Sequence, residues 1–154
     1  TETLQSLKKS GRLLVSVGTT SMRTLESLYW LGVKLLGEGI SEEVPFLEQW
    51  FPYAYTGPLP GVVEALDALI HKSESNGLGG IRGETSLIIV PGYDFKITER
   101  LITNFHQPGS TLLLLVAAFA GEQWVKAYRY ALDHDFRFLS YGDSCLFTRQ
   151  NLQS

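Results

Sequence analysis

The sequence predicts an α/β fold: a mixed sheet covered by helices. Three observations carry that expectation. A short apolar run at 13–17 is followed by the turn Gly18-Thr19-Thr20-Ser21, after which Met22, Leu25, Tyr29 and Val33 fall on one helical face. Strand, glycine turn and helix make the half-unit of such a sheet. A polar turn from Thr103 to Thr111 then runs straight into nine apolar residues, 112–120, as a buried helix does. Strand-like runs at 86–90, 101–105 and 136–141 complete the pattern.

Taken in order, Leu4 and Leu7 before Lys8 and Lys9 read as the tail of a helix that Gly11 ends. The run 13–17 reads as a buried strand, and the helix that begins near Ser21 meets possible stops at Gly32 and Gly37. From 38 to 83 the pattern changes. Pro45, Pro52, Pro58 and Pro60 interrupt it, and the Ser/Asn/Gly stretch 73–80 reads as mobile. This region is expected to be an insertion or elaborated loop. Its own helix spans 60–71, with Val62, Leu66, Leu69 and Ile70 as the buried side. Trp50, Phe51, Tyr53 and Tyr55 either pack on the main body or form a contact surface.

Beyond it, 86–90 reads as a buried strand. Tyr93, Phe95 and Ile97 alternate with polar residues like a half-buried strand. That strand and 101–105 are expected to form an antiparallel hairpin. A second helix, 122–134, should bury Trp124, Val125, Tyr128, Ala131 and Leu132, and 136–141 reads as a further strand.

The chain has 154 residues, 44% of them apolar and 19% charged, enough for a real core and unlike a disordered tail. The net charge of -3 argues against gripping a nucleic-acid backbone over a broad face, although scattered arginines allow a local basic patch. Cys145 is the only cysteine, so no internal disulfide or cysteine metal cluster forms, and a reducing, cytoplasmic setting is the default. His71, His106 and His134 lack ligand spacing, so no metal site is expected. The apolar run 112–120 is far shorter than the ~20 residues of a membrane span. The only Met is Met22, which points to a chain cut or processed from a longer one.

Three corners carry the candidate chemistry, each at the end of an expected strand: Gly18-Thr19-Thr20 with Arg23, Asn104 and His106 with Ser110 and Thr111, and Tyr141 with Asp143. Ligands of open α/β sheets gather at the carboxyl ends of strands. Ser110 or Thr111 can cap the apolar helix, whose first-turn amides suit a phosphate or carboxylate. Arg23 sits at the end of a helix that disfavours cations, which invites an anion; the alternative is a pair with Glu26 on a solvated face. His106 is either a reactive imidazole or a satisfied polar residue beside a core. Asp143 either accepts hydrogen bonds from a ligand or caps a turn. No G-x-S-x-G elbow supports a hydrolase built on Ser110, His106 and Asp143.

Four stretches resemble the S-adenosylmethionine:tRNA ribosyltransferase-isomerase family of queuosine biosynthesis. They are Val17-Gly-Thr-Thr-Ser-Met-Arg-Thr-Leu-Glu-Ser27, Val90-Pro-Gly-Tyr-Asp-Phe95, the segment from Leu101 through Asn104-Phe-His-Gln-Pro-Gly-Ser-Thr111 to Gly121, and Phe136-Arg-Phe-Leu-Ser-Tyr-Gly-Asp143. Gln107 and Gly109 stand where the family usually has Leu and a polar or charged residue. The resemblance implies the C-terminal portion of an α/β catalytic domain, whose missing N-terminal part would be a partner. It implies S-adenosylmethionine as co-substrate, tRNA as acceptor and no metal. The ribosyl group would pass to a 7-aminomethyl-7-deazaguanine base, giving epoxyqueuosine with release of methionine and adenine. His106 would serve as general base or acid. Gly18, Thr19, Thr20 and Arg23 would hold a carboxylate or phosphate, and Tyr141 and Asp143 the ribose or amine, with Asn104, Ser110 and Thr111 completing the substrate site. The competing reading is a non-catalytic module that binds nucleotide or RNA in the same cleft.

Overall fold

In a computed structural model, described for residues 1–9, 13–38, 44–75, 77 and 80–149, the elements follow in the order α1 Glu2–Lys9, β1 Val15–Val17, α2 Thr19–Glu38, β2 Phe46–Leu47, α3 Phe51–Ala54, α4 Val62–Ser75, β3 Glu84–Thr85, β4 Arg100–Asn104, α5 Thr111–Ala120, α6 Gln123–Asp133 and β5 Ser144–Thr148. They fall into two units, Thr1–Arg12 with Thr24–Leu87, and Leu13–Arg23 with Ile88–Ser154. The fold is mixed α/β, as expected.

The second unit is built on the sheet β1-β4-β5. β1 runs parallel to β4, pairing Val17 with Ile102, and β5 runs antiparallel, pairing Ile102 with Leu146 and Asn104 with Ser144. Because side chains alternate along a strand, Ser16, Leu101, Thr103 and Phe147 share one face, and all four are buried. α5 packs against β5 and α6, turning Leu115, Val116, Phe119 and Ala120 inward. Burying each large side chain stabilises by about 1.5–3 kcal/mol. The other face is bare: Val15, Val17 and Leu146 are 40%, 66% and 57% exposed. The apolar run at β1 therefore reads correctly as a strand but not as one buried on both sides.

Three expected strands are absent. Residues 86–99 form no ladder, and β4 pairs with β1 and β5 instead of a neighbouring hairpin partner. The alternation of Tyr93 and Phe95 comes from ring packing, Tyr93 on Phe95 and Phe95 on Phe119, each with centroids 4.9 Å apart. The Phe95 carbonyl accepts from the Arg149 guanidinium. Residues 136–141 form a loop because Leu139 holds φ 69°, outside the strand region. Phe136 and Phe138 pack on Phe105 at 5.7 and 5.4 Å, which produces the same two-residue period. On α6, Tyr128 and Ala131 are buried as expected, but Val125 and Leu132 are 41% and 68% exposed.

In the first unit α1 packs against α4, with Lys8 paired to Asp67 at 2.6 Å. The helix expected at 60–71 continues to Ser75, where the buried Ser73 hydroxyl meets Thr1 Oγ1 at 2.8 Å. Leu66, Leu69 and Ile70 face inward, whereas Val62 is only half-buried. Gly11 and positions 76, 78 and 79 of the expected mobile stretch lie outside the described residues. The region 38–83 supplies α3, α4 and β2, which pairs in parallel with β3. Its aromatic cluster divides: Phe51 and Tyr55 pack edge-on against Trp30 of α2, while Trp50 and Tyr53 pack on each other and stay exposed. Among the described residues no helix is long and apolar enough to cross a membrane.

Gly32 does not stop α2, which ends one residue after Gly37. Its role is close approach: a Cβ there would lie 2.2 Å from the Ala65 carbonyl oxygen. Replacing glycine by alanine within a helix ordinarily stabilises by about 0.5–1 kcal/mol. At Gly32 the clash outweighs this, and Gly32→Ala is expected to destabilise by about 1–3 kcal/mol. Gly37→Ala, whose nearest neighbour is the Tyr55 hydroxyl at 3.9 Å, is expected to leave stability unchanged or raise it. Urea unfolding of the two variants decides; equal midpoints would refute the close-approach account.

Candidate active site

Strand direction places the three corners at one end of the sheet. β1 and β4 are parallel, so Gly18 and Asn104 leave it on the same side, and the Gly18 amide donates to Ile102 O at 2.7 Å. The third corner does not follow a strand; it precedes β5. Since β5 is antiparallel to β4, its first residue lies opposite Asn104. The Asn104 side-chain amide donates to the Gly142 and Asp143 carbonyls, both at 3.3 Å. The Leu139 amide donates to Phe105 O at 2.9 Å. All of these residues belong to the second unit.

Between β4 and α5 the chain turns through Gln107-Pro108-Gly109-Ser110. Pro at the second position and Gly109 at φ 78° at the third are the requirements of a type II turn, closed by Ser110 N donating to Gln107 O at 3.4 Å. Ser110 is the cap: its hydroxyl accepts from the Leu113 amide at 3.2 Å and donates to Gln107 O at 2.9 Å. Thr111 is the first helical residue. With its hydroxyl engaged on both sides, Ser110 is unsuited to act as a nucleophile. Gly18 precedes the first residue of α2 and has no side chain with which to cap it. There Thr19 is buried, Thr20 exposed and Arg23 half-buried. Glu26 is fully buried, so a solvated Arg23–Glu26 face does not exist.

His106 is half-buried, with its Nε2 3.0 Å from Thr103 Oγ1 and its backbone amide donating to the Tyr128 hydroxyl at 2.9 Å. Burial holds its pKa below the usual 6.5, so the ring is neutral near pH 7. Burial raises Tyr128 above its ordinary range, keeping the phenol protonated. Cys145 donates to the Thr103 carbonyl, and burial pushes its thiol up to about 11, which makes it a poor nucleophile. Asp143 caps a turn: one carboxylate oxygen accepts from the Arg137 amide at 2.7 Å and the other faces the Arg137 guanidinium at 3.6 Å. The amide bond, followed by the guanidinium, lowers its pKa. Gly142 is needed in this turn because a Cβ would stand 2.2 Å from Arg137 O. Tyr141 is 98% exposed and open to a ligand.

Thr103, Tyr128, Arg137 and Cys145 organise the site, and residue-type reasoning does not single them out. Thr103 reads as strand and Tyr128 as helix-face filler; only the inward position of a threonine three residues before His106 hints at a polar contact. Cavities flank α5 at both ends. One of about 270 Å³ is lined by Gly109, Ser110, Leu113, Leu114, Ala117 and Trp124, and one of about 350 Å³ includes Tyr93, Phe95, Phe119 and Arg149.

A family model described as queuosine biosynthesis protein matches residues 1–147. The chain belongs to this family. Relatives named S-adenosylmethionine:tRNA ribosyltransferase-isomerase, from Burkholderia vietnamiensis strain G4 and Burkholderia mallei strain SAVP1, are each 48% identical over 92 residues, covering 58% of this chain and 26% of theirs. A crystal structure of S-adenosylmethionine tRNA ribosyltransferase from Thermotoga maritima aligns with TM-score 0.55 and 32% identity, over 94% of this chain and 36% of that one. The chain thus spans about a quarter to a third of the length of the relatives it matches.

Two outcomes check this geometry. Tyr128→Phe removes the acceptor of the His106 amide and is expected to cost about 1–3 kcal/mol in chemical unfolding, and Ser110→Ala about 1 kcal/mol. Since the Cys145 pKa is raised, its thiol stays protonated between its ordinary value of 9 and about 11. Alkylation of the folded chain at pH 9 should therefore lag behind that of the unfolded chain; equal rates would overturn the assigned burial.

Proposed function

We propose that this chain is the C-terminal portion of an enzyme that transfers the ribosyl part of S-adenosylmethionine to a 7-aminomethyl-7-deazaguanine base in tRNA, giving epoxyqueuosine. The observation that carries the reading is the meeting of the family's Asn104–His106 segment with the Gly18 and Gly142–Asp143 corners at one sheet end. A neutral His106 suits the removal of a proton beside a sulfonium, and its protonated form suits donation to a departing adenine. Thr19, Thr20 and Arg23 at the start of α2 hold a carboxylate or phosphate, with Gly18 allowing close approach. Asn104 and Asp143 hold the third corner in place, Tyr141 offers a ring to ribose or base, and Ser110 and Thr111 shape the α5 end. No metal enters this scheme.

The bare sheet face supports a larger protein. A parallel pair such as β1 and β4 normally has both faces covered, and here Val15, Val17 and Leu146 lie open. In this reading the N-terminal part of the family's length covers them, the stretch 38–83 is an elaboration of the same domain, and the site of action is the cytoplasm, where tRNA is modified.

The test is release of adenine and methionine from S-adenosylmethionine by the full-length protein with tRNA bearing the precursor base. Release that requires the tRNA, and that falls at least about a hundredfold in His106→Ala, is the expected result. Binding without turnover, unaltered by His106→Ala, would replace the enzyme with a non-catalytic binding module.

A further inference from the structure

We propose that Thr103 is a positioning residue for His106: its buried hydroxyl accepts from Nε2–H and so leaves Nδ1 as the nitrogen that exchanges protons in the site. The inference rests on His106 being the proton-transferring residue of the reaction proposed above.

The contact lies inside a rigid frame. Thr103 is 5% exposed on the covered face of the sheet, and its backbone pairs with Cys145 of β5. Its Oγ1 stands 3.0 Å from Nε2, a separation that admits either direction of donation. A β-branched side chain has few χ1 choices, so the hydroxyl is presented with little freedom. The peptide leading to the imidazole is held at Phe105 O by the Leu139 amide and at His106 N by the Tyr128 hydroxyl. Tyr128 is itself fixed by ring contacts to Phe105, Trp124 and Phe138, at 5.1, 5.5 and 5.9 Å. The ring thus turns on a fixed backbone toward a fixed partner.

The proposed reaction selects the direction. A neutral imidazole carries one proton. With that proton on Nε2 and bonded to Thr103, the Nδ1 lone pair is bare and can receive a proton. The proton would come from the substrate carbon beside the positive sulfur, and its electron pair would stay on that carbon. The resulting imidazolium donates from both nitrogens, and Thr103 still accepts from Nε2 without moving. The opposite direction, Thr103 donating to Nε2, would place the single proton on Nδ1 and block uptake there. A carboxylate in the place of Thr103 would favour the charged ring, whereas a hydroxyl leaves burial to keep it neutral.

The full-length protein labelled with 15N-histidine provides the test, read by long-range 15N–1H spectra at pH 8 with His106 assigned through its loss in His106→Gln. The Nε2–H tautomer is expected in about tenfold excess, the ratio that a net hydrogen bond of ordinary strength maintains. Thr103→Val strands Nε2–H without an acceptor and should make Nδ1–H the major form, and Thr103→Ser should restore the original. A parent chain already in the Nδ1–H form overturns the proposal without recourse to any variant. So does a Thr103→Val protein with unchanged circular dichroism and an unchanged tautomer. Failure of the underlying reading is separate: undiminished adenine release by the full-length His106→Gln protein would remove the catalytic role and leave the tautomer data standing.

Discussion

The antiparallel pairing of β5 with β4 is the constraint on which the rest of the second unit depends. Its register sets Ser144 against Asn104 and Cys145 against Thr103. The first pairing brings the Gly142–Asp143 corner within reach of the Asn104 amide, and the second closes the back of the His106 turn. A slip of β5 by one residue would turn Cys145 and Phe147 to the other face and break the match of Ser144 to Asn104. Register is strongly specified here because one face, with Leu101 and Phe147, is buried.

Two layers of support converge on His106. The sheet supplies Thr103, and α6 supplies Tyr128, whose hydroxyl meets the His106 amide. α5 contributes through its ends: Ser110 caps the first turn, and Phe119 anchors the helix on Phe95. The groups around the imidazole are neutral at physiological pH, since burial keeps Tyr128 and Cys145 protonated. Asp143 is tied to Arg137, and Asp94 to Lys96 and Arg149.

The first unit follows a different principle. Its central fact is the close approach of α2 to the backbone of α4 at Gly32 and Ala65, which only a residue without a Cβ permits. Around that crossing, Trp30 gathers Phe51 and Tyr55, and Tyr29 donates to the Pro60 carbonyl at 2.9 Å. These contacts explain how a proline-interrupted stretch forms ordered structure around α3, β2 and α4.

The helices other than α3 were legible in the residue order because helical periodicity and cap chemistry are local: Ser110 announces α5, and the faces of α2 and α4 carry their apolar stripes. The site segments were legible because glycine turns, hydroxyls, an amide and an imidazole cluster at a few positions. Strand identity was not. Residues 93–97 and 136–141 alternate as strands do, yet their aromatic rings alternate to meet other rings, while Ser144–Thr148, with its unremarkable composition, completes the sheet. What the residue order determined alone was the α/β class, the helices and the polar turns. Tertiary structure decided which strand pairs with which, that the third corner precedes its strand, and that Asp143 and Ser110 serve their own turns. Pairing and close approach depend on atoms far apart in the chain, and no local pattern encodes them.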